Sequence, residues 1–456
     1  MDNKAKGQCF STTLINGDGI LNAQGLDKFI KQVKLGECGL SYAIVAIMGP
    51  QSSGKSTLLN HLFKTNFTEM DSNRGRRQTT KGIWMARCTG ITHCTIAMDL
   101  EGSDGSERGE DTLFERQIAL FAIAVSDIML INIWCHDIGR EHGANKPLLR
   151  IVFQEMLRIR GLRKTTLMLV IRDKSVTPFE VLERDLMDDM KKIWDSVPKG
   201  EDNKNIQLSE CFNVKVVALS NYERQKEEFG EDVANMRESL FQSIRLAKDH
   251  VPGSAFSLSA QNIWELVKEN KEIDFPSHKV MVATKRCHEI AEDKYSAFAD
   301  DKIWLRLEDG GEYLVRGFKE KLNSLLKNCL SSYDAEAFCY DATIASAERK
   351  ELDKKLMKFV RASKLDELTA LYEKEKKKEN LKHNMLNAAR IVGGTATAGA
   401  GIITVAAASA MALSPAGLVI LAGAGVTGVV TGALAAGVGV VSTTRKVVAS
   451  IKNRIG

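Results

Sequence analysis

Short apolar runs alternate with amphipathic stretches along the first 265 residues of the chain. Helical spacing of apolar residues appears between the runs, for example at 111–126 and 181–196. This alternation is typical of a mainly parallel sheet with helices on both faces, so an α/β domain is predicted. Charged stretches near 200–206 and 226–238 are predicted to be surface loops or helix faces. The predicted strands are 43–48, 94–100, 128–134, 166–172 and 214–218.

Between about residues 260 and 390 proline nearly disappears, and charged residues interleave with apolar ones at helical spacing. The run Ile263, Trp264, Leu266 and Val267 shows this spacing, which favours a helical bundle. The predicted domains are therefore an α/β domain at 1–262 and a helical bundle or stalk at 263–390.

No charged residue occurs from Ile391 to Thr444. A membrane span takes roughly 20 apolar residues, so 391–413 and 416–441 are each long enough. Ser414 and Pro415 would form the turn, and basic residues flank both ends, which predicts a membrane hairpin at 391–442 with both termini cytosolic. A basic tail at 443–456 follows. Because Ala and Gly contribute little transfer energy, a soluble hairpin or conditional insertion is the alternative.

A complete phosphate-binding loop, G-x-x-x-x-G-K-[ST], follows the β-prone run 42–48 and precedes a helical stretch. Backbone N–H groups of such a loop and the helix N-terminus surround an anion. Lys55 would reach the β- and γ-phosphates, and Ser56 would ligate Mg²⁺. The predicted nucleotide-binding residues here are Gly49, Pro50, Gln51, Ser52, Ser53, Gly54, Lys55, Ser56 and Thr57.

Two further motifs lie where a nucleoside triphosphatase needs them. Asp99 and Gly102 end the next predicted strand, where Asp99 can hold Mg²⁺ through water and Gly102 can offer its N–H to the γ-phosphate. Thr79 and Thr80 lie between the motifs, and a threonine there can close over Mg²⁺. Either could serve, and Thr80 is favoured.

A carboxylate after the strand that ends at Ile171 indicates guanine selection. Asp173, which follows Arg172, can accept both N1–H and N2–H₂ of guanine, and adenine lacks that donor pair. The next strand leads into a loop with Ser220, placed to cover the base. GTP with Mg²⁺ is therefore the predicted ligand.

Charge and cysteine content exclude other classes. The net charge of +5 is mild and no basic stripe carries interleaved aromatics, so no nucleic-acid partner is expected. The nine cysteines form no C-x-x-C pair, which favours reduced thiols. The polar start of the chain, at 1–6, predicts no signal peptide and a cytosolic first domain.

Longer runs around these motifs resemble one family. They are 49–60, 77–84, 98–105 and 134–141, with Arg-Gln-Thr-Thr-Lys-Gly-Ile-Trp at 77–84. The chain resembles the ROOT HAIR DEFECTIVE 3 proteins, the plant relatives of the atlastins in the dynamin superfamily, over about residues 10–340. The resemblance implies a GTPase of the endoplasmic reticulum membrane that tethers and fuses tubules through GTP-dependent dimers in trans. It assigns matching roles to Lys55, Ser56, Thr80, Asp99, Gly102, Arg172 and Asp173.

Three features depart from that family. The helical region is shorter than the long stalk of plant members, the apolar run is rich in Gly and Ala, and no match is evident after about residue 345. Atlastins also place an arginine inside the phosphate loop, where this chain has Ser52. Arg76 or Arg77 is the candidate replacement, with Arg77 preferred, and a surface salt bridge is the alternative for either.

The predicted function is that of a membrane-anchored GTPase that fuses or shapes reticulum membranes, with membrane lipids and a second copy of the chain as partners. Two alternatives stay open. A shortened family member could bind GTP and regulate full-length partners without fusing membranes. The tail could instead form pores.

Overall fold

The computed structural model describes residues 10–69, 79–91, 94–103, 112–140, 143, 145–161, 164–243, 251–301, 318–362, 374 and 377–387. The chain divides into two units. The first comprises Met1–His288 and Ala337–Ala345, and the second comprises Glu289–Glu336 and Ser346–Gly456.

A seven-stranded sheet forms the centre of the first unit, in the order β1-β3-β4-β2-β5-β7-β8. The pairs from β4 through β2, β5 and β7 to β8 are parallel, whereas β1 and β3 add an antiparallel edge. A separate parallel pair joins β6 to β9. The strands are β1 Ser11–Ile15, β2 Tyr42–Met48, β3 Ile83–Arg87, β4 Cys94–Leu100, β5 Ile128–Trp134, β6 Ile159–Arg160, β7 Thr165–Arg172, β8 Phe212–Ala218 and β9 Ile273–Asp274.

Helices cover both faces of this sheet, as the sequence predicts. Along β2, Ile44 and Ala46 point into one core and Val45 and Ile47 into the other, which is the period-two pattern of a strand buried on both faces. The first core includes residues of α1, α3, α4, α5 and α8, and the second includes residues of α2 and α7. The helices through this region are α1 Ala23–Gln32, α2 Lys55–Phe63, α3 Leu113–Val125, α4 Asn145–Met156, α5 Phe179–Ser196, α6 Leu208–Cys211, α7 Lys226–Ser243 and α8 Phe256–Lys268.

The sequence predicts that the chain from residue 263, which includes the second half of α8, belongs to the helical bundle, but the structure packs this part of α8 into the core of the first unit. The Trp264 ring meets Phe121 of α3 edge to face at 5.8 Å, and its Nε1 donates to the Gly19 carbonyl at 3.0 Å. Ile263 is buried in the same core. Helical spacing shows that a helix has an apolar face, but not which core the face joins. The first unit accordingly extends beyond the sequence-based bound at 262.

The second unit is helical in the part that the structure describes. It contains the end of α9 Phe275–Ala299, most of α10 Phe318–Ala337 and most of α11 Ala342–Ala362, and residues 377–387 are also helical. Phe359 meets Tyr295 and Phe298 edge to face at 5.6 and 6.3 Å. The Lys355 ammonium lies 4.1 Å from the centre of the Tyr295 ring and bonds to Glu292 at 2.6 Å.

The predicted hairpin at 391–442 and the basic tail at 443–456 lie outside the described residues. None of the helices in the described ranges is long and apolar enough to cross a membrane.

Candidate functional site

The phosphate-binding loop lies at the carboxyl end of β2, the strand between β4 and β5. It joins β2 directly to α2, which begins at Lys55. Gly54 has φ +76°, a left-handed conformation that glycine adopts without steric cost, and Ser52 takes φ +60° despite its side chain. Ligands of open parallel sheets bind at this edge, so the loop is placed as a phosphate site requires.

Lys55 is almost fully buried within this loop. Its Nζ donates to the carbonyl oxygens of Gly49 and Pro50, both at 3.2 Å. Burial lowers the pKa of the Lys55 ammonium, although the charges of Asp99 and Glu101 oppose that shift. A bound anion would therefore find a lysine already aimed into the loop.

Three oxygen-bearing side chains converge beside Lys55. Ser56 Oγ donates to Asp99 Oδ2 at 2.6 Å, Thr80 Oγ1 donates to the same oxygen at 2.9 Å, and the two hydroxyls are 3.4 Å apart. Burial raises the pKa of the Asp99 carboxyl, against the effects of Lys55, Ser56 and Thr80. Asp99 Oδ1 is buried and has no hydrogen-bond partner among the described residues. Hard oxygen donors around an unsatisfied carboxylate oxygen fit Mg²⁺, and the structure brings together the three residues predicted to hold it.

Gly102 is pressed against the phosphate loop. A Cβ added there would lie 2.7 Å from Gln51 Cα and 3.0 Å from Lys55 Nζ. Two backbone bonds fix the approach, because Gln51 N donates to Ser103 O at 2.8 Å and Ser103 N donates to Gly49 O at 3.2 Å. Gly102 can therefore present its backbone to whatever occupies the loop.

Arg172 contacts the phosphate loop, and does not only precede Asp173 at the proposed base site. Its Nη1 donates to the carbonyls of Ser53 and Gly54, at 3.2 and 3.1 Å, and its guanidinium lies 5.7 Å from the centre of the Phe229 ring. Burial lowers the pKa of Arg172 to about 10, against the charge of Asp173, so the group stays protonated at neutral pH. Arg172 therefore supports the phosphate loop by donating hydrogen bonds to its carbonyl groups.

Asp173 and Ser220 lie just beyond the ends of two adjacent parallel strands. The strands β7 and β8 pair as far as Ile171 and Ala218, so the loops that follow lie at the same edge of the sheet. Asp173 is half-buried with φ +56°. Lys174 N donates to Leu219 O at 2.9 Å, which ties the two loops together. Both residues are placed where a base bound next to the phosphate loop would lie.

Two other predicted nucleotide-binding residues make contacts at the phosphate loop. Thr57 Oγ1 donates to Glu69 at 2.9 Å, and Pro50 forms a bridge with Ser103. Arg77 and Arg76 lie outside the described residues.

Three supporting residues escaped the sequence analysis. Asn132 on β5 is fully buried and donates to Ser53 O at 2.9 Å. Glu101 accepts from Gly82 N at 2.6 Å and so fastens the segment that carries Thr80. Asp232 on α7 accepts from Ser220 Oγ at 2.6 Å. The sequence does carry a signal for Asn132, which is a polar residue inside an apolar strand. It carries none for Asp232, because that residue lies in a stretch with many other charged residues.

A parallel sheet with this loop, the Ser56–Thr80–Asp99 cluster and a carboxylate after β7 defines a P-loop GTPase domain. The family model described as the Root hair defective 3 GTP-binding protein (RHD3) GTPase domain matches residues 48–276, and that of the Sey1 three-helix bundle domain matches residues 316–395. The second match extends beyond residue 345, so the expectation that no family match follows that residue is wrong. The chain belongs to the ROOT HAIR DEFECTIVE 3 family of GTPases.

Individual relatives agree with this assignment. Protein ROOT HAIR DEFECTIVE 3 of Oryza sativa subsp. japonica is 58% identical over 360 residues, which cover 77% of this chain and 45% of that protein. The Protein SEY1 homolog of Dictyostelium discoideum is 34% identical over 403 residues, covering 83% of this chain and 42% of that protein. The chain thus spans about half the length of the curated relatives it matches.

Among solved structures, bacterial selenocysteine-specific elongation factor EF-Sec covers 46% of this chain and 30% of its own, at 17% identity and a TM-score of 0.31.

Proposed function

We propose that the first unit binds GTP with Mg²⁺ and hydrolyses it to GDP and phosphate. The observation that carries this proposal is the convergence of the Ser56 and Thr80 hydroxyls on Asp99, beside the buried Lys55. Membership of a GTPase family supports the same reaction.

Each residue has a separate task in this proposal. Lys55 and the backbone N–H groups of the phosphate loop neutralise and orient the phosphates, which is most of what phosphoryl transfer needs. Ser56, Thr80 and Asp99 would hold Mg²⁺, which would further neutralise the charge of the phosphates. Gly102 N–H faces the γ-phosphate, and water attacks the γ-phosphorus as GDP departs. Arg77 is the proposed source of the positive charge that atlastins supply from the phosphate loop.

Guanine selection is proposed for Asp173. Its carboxylate accepts two hydrogen bonds from the base edge, and the Asp173→Asn variant replaces one acceptor by a donor. Loss of GTP preference over ATP in that variant would support the role.

The reaction is tested with Lys55→Ala, by measuring phosphate release and the binding of a fluorescent GTP analogue by the full chain. Both should fall to background, because the variant removes the one ammonium that lies in the loop. Lys64→Ala, which removes an exposed lysine just past the end of α2, is the matched control and should leave both values unchanged. Tight GTP binding by Lys55→Ala would remove the phosphate-loop assignment.

We further propose that the chain acts at the endoplasmic reticulum membrane. Residues 391–442 would form the hairpin anchor with both termini cytosolic, and 443–456 a basic tail at the lipid surface. GTP-dependent homodimers in trans would tether and fuse the membranes. The charge-free run and the family support this proposal.

Lipid mixing between proteoliposomes that carry the full chain tests the membrane role, with GTP, GDP and a non-hydrolysable analogue compared. Mixing with GTP alone would support fusion. Hydrolysis without mixing would favour the second candidate, a regulator that dimerises with full-length partners. Ser52 at the position where atlastins carry a loop arginine supports that candidate.

A further inference from the structure

Asp232 on α7 binds both of the loops that border the proposed base site. Its Oδ2 accepts from the backbone N of Ser220 at 2.8 Å and from Ser220 Oγ at 2.6 Å. Its two carboxylate oxygens also meet Lys174 Nζ at 3.0 and 3.1 Å. One side chain therefore joins Lys174, the residue after Asp173, to Ser220 in the loop beyond β8.

The hydrogen bonds of Asp232 hold residues next to strained or buried backbone. Asp173 has φ +56°, a conformation that costs a non-glycine residue roughly 1 kcal/mol or more. Lys174 is its immediate neighbour, and the carboxylate of Asp232 holds the Lys174 side chain. Ser220 is fully buried, so the loss of its acceptor would leave a buried hydroxyl and N–H unsatisfied.

The helix that carries Asp232 is itself firmly held. On the same helix, Phe229, Val233, Met236 and Leu240 are buried in the second core. Five residues beyond Asp232, Arg237 donates to the carbonyls of His61 and Leu62 at the end of α2, at 2.6 Å each. Asp232 thus stands on an element attached to the helix that follows the phosphate loop.

Asp232 remains charged in these surroundings. Burial alone would raise the pKa of its carboxyl, but the hydrogen bonds from Ser220 and the ammonium of Lys174 outweigh that effect and leave the pKa below its ordinary value. The charged form accepts every one of these bonds without competing as a donor.

We propose that Asp232 is a positioning residue for guanine recognition, which holds the Asp173 loop and the Ser220 loop at the spacing that the base requires. This inference rests on the proposed function. Asp232 does not touch the base. It acts through Lys174 and Ser220, and it should therefore affect selectivity between bases more than affinity for phosphates.

The test compares GDP with IDP, which lacks the 2-amino group of guanine and can give Asp173 only one donor. Asp232→Asn in the full chain keeps the size of the side chain and removes its charge. We expect GDP affinity to fall about tenfold, the effect of losing one charge-assisted hydrogen bond, and IDP affinity to fall less. The ratio of GDP affinity to IDP affinity should therefore fall, and titration calorimetry measures both affinities.

Glu231→Gln is the matched control, since it removes the same charge from the adjacent, exposed position on α7. Its GDP to IDP ratio should equal that of the unaltered chain. Lys174→Met supplies a second variant at a partly exposed side chain, 38% accessible, so it is expected to fold even if Asp232→Asn does not. This variant should also lower the ratio of GDP affinity to IDP affinity.

Thermal denaturation of each variant shows whether it is folded. A folded Asp232→Asn or Lys174→Met variant with an unchanged GDP to IDP ratio would overturn the positioning role. If the unaltered chain itself shows no preference for GDP, the proposed guanine function fails, which is a distinct result.

Discussion

At the scale of residues, Lys55 and Asp99 are oppositely charged groups buried within one site, 7% and 1% exposed, and they interact electrostatically. Burial weakens the charged form of each, lowering the pKa of Lys55 and raising that of Asp99. Taking such groups out of water costs several kcal/mol per ion, on the order given by measured buried pairs. Phosphate next to Lys55 and a cation next to Asp99 would offset that cost. Nucleotide binding should therefore stabilise this unit.

Gly102→Ala tests how closely the loop after β4 approaches the phosphate loop. The new methyl group would lie 2.7 Å from the backbone of Gln51, which cannot give way without moving the loop. We expect GTP affinity to fall at least about tenfold, in line with the cost of overpacking of roughly 1–3 kcal/mol. Fluorescent-nucleotide titration measures it.

Gly230→Ala is the control for that substitution. Gly230 lies on α7 with no atom within 4 Å of an added Cβ, so the variant should bind GTP normally. It should also be slightly more stable, by about 0.5–1 kcal/mol, because alanine loses less entropy in a helix. Equal GTP affinity in the Gly102→Ala variant and the unaltered chain would contradict the close approach.

The sequence predicted residues of this site where a motif specifies them and missed residues where only the fold does. Ser56, Thr80 and Asp99 could be placed together because a loop, a strand end and an intervening threonine have a known spatial order. Asn132 and Asp232 act from elements without a motif. Their partners are 79 and 12 positions away in the chain, and only the folded chain brings them into contact.

At the scale of elements, the parallel strands were predictable and the antiparallel edge was not. The predicted bounds of β4 and β5 match the structure, since continuous apolar runs mark strands buried on both faces. Edge strand β1 is Ser-Thr-Thr-Leu-Ile and buries only its last residues, so its pattern is weak. The stretch 226–238, predicted as a surface loop or a helix face, lies on helix α7. The prediction did not identify the buried face of α7, which carries Phe229, Val233, Met236 and Leu240.

The contact between α8 and α9 should make stability depend on pH through His278. Its Nε2 is 2.8 Å from Ser259 Oγ and its Nδ1 is 2.9 Å from Asn262 Oδ1, both on α8. Burial lowers the pKa of His278 from 6.5 to about 4. Between these pH values the unfolded chain binds more protons, so stability is complete above pH 6.5 and falls as the pH drops towards 4. The loss should total about 3 kcal/mol.

Chemical denaturation of the unaltered chain and of His278→Gln at pH 7.5, 5.5 and 4.5 measures this effect. The variant cannot take up the proton, so the stability difference between the two proteins should shrink on acidification. His136→Gln, at a side chain 60% exposed, serves as the control and should follow the unaltered chain. A pH-independent difference for His278→Gln would reject the buried neutral histidine as the cause.

At the scale of the whole molecule, the chain joins a GTPase domain to a helical region and a long charge-free run. The chain spans about half the length of the matched relatives, and the proposed membrane role depends on the charge-free run at 391–442. Residues 391–442 are the proposed anchor because they carry no charged residue over a length that suffices for two spans.

Deleting residues 391–456 should release the protein from membranes while GTP hydrolysis persists, because the site residues all lie before residue 221 and their supports before 238. Two runs of more than 20 apolar residues would hold the full chain through carbonate extraction, and the shortened chain would stay in the supernatant. Full-length Lys55→Ala is the control and should remain with the membranes, since it lacks only the nucleotide contact. If the shortened chain still sediments with membranes, the anchor is not the charge-free run. If the full chain is extracted by carbonate, the run lies at the surface or folds as a soluble hairpin, and the regulator of full-length partners becomes the leading function.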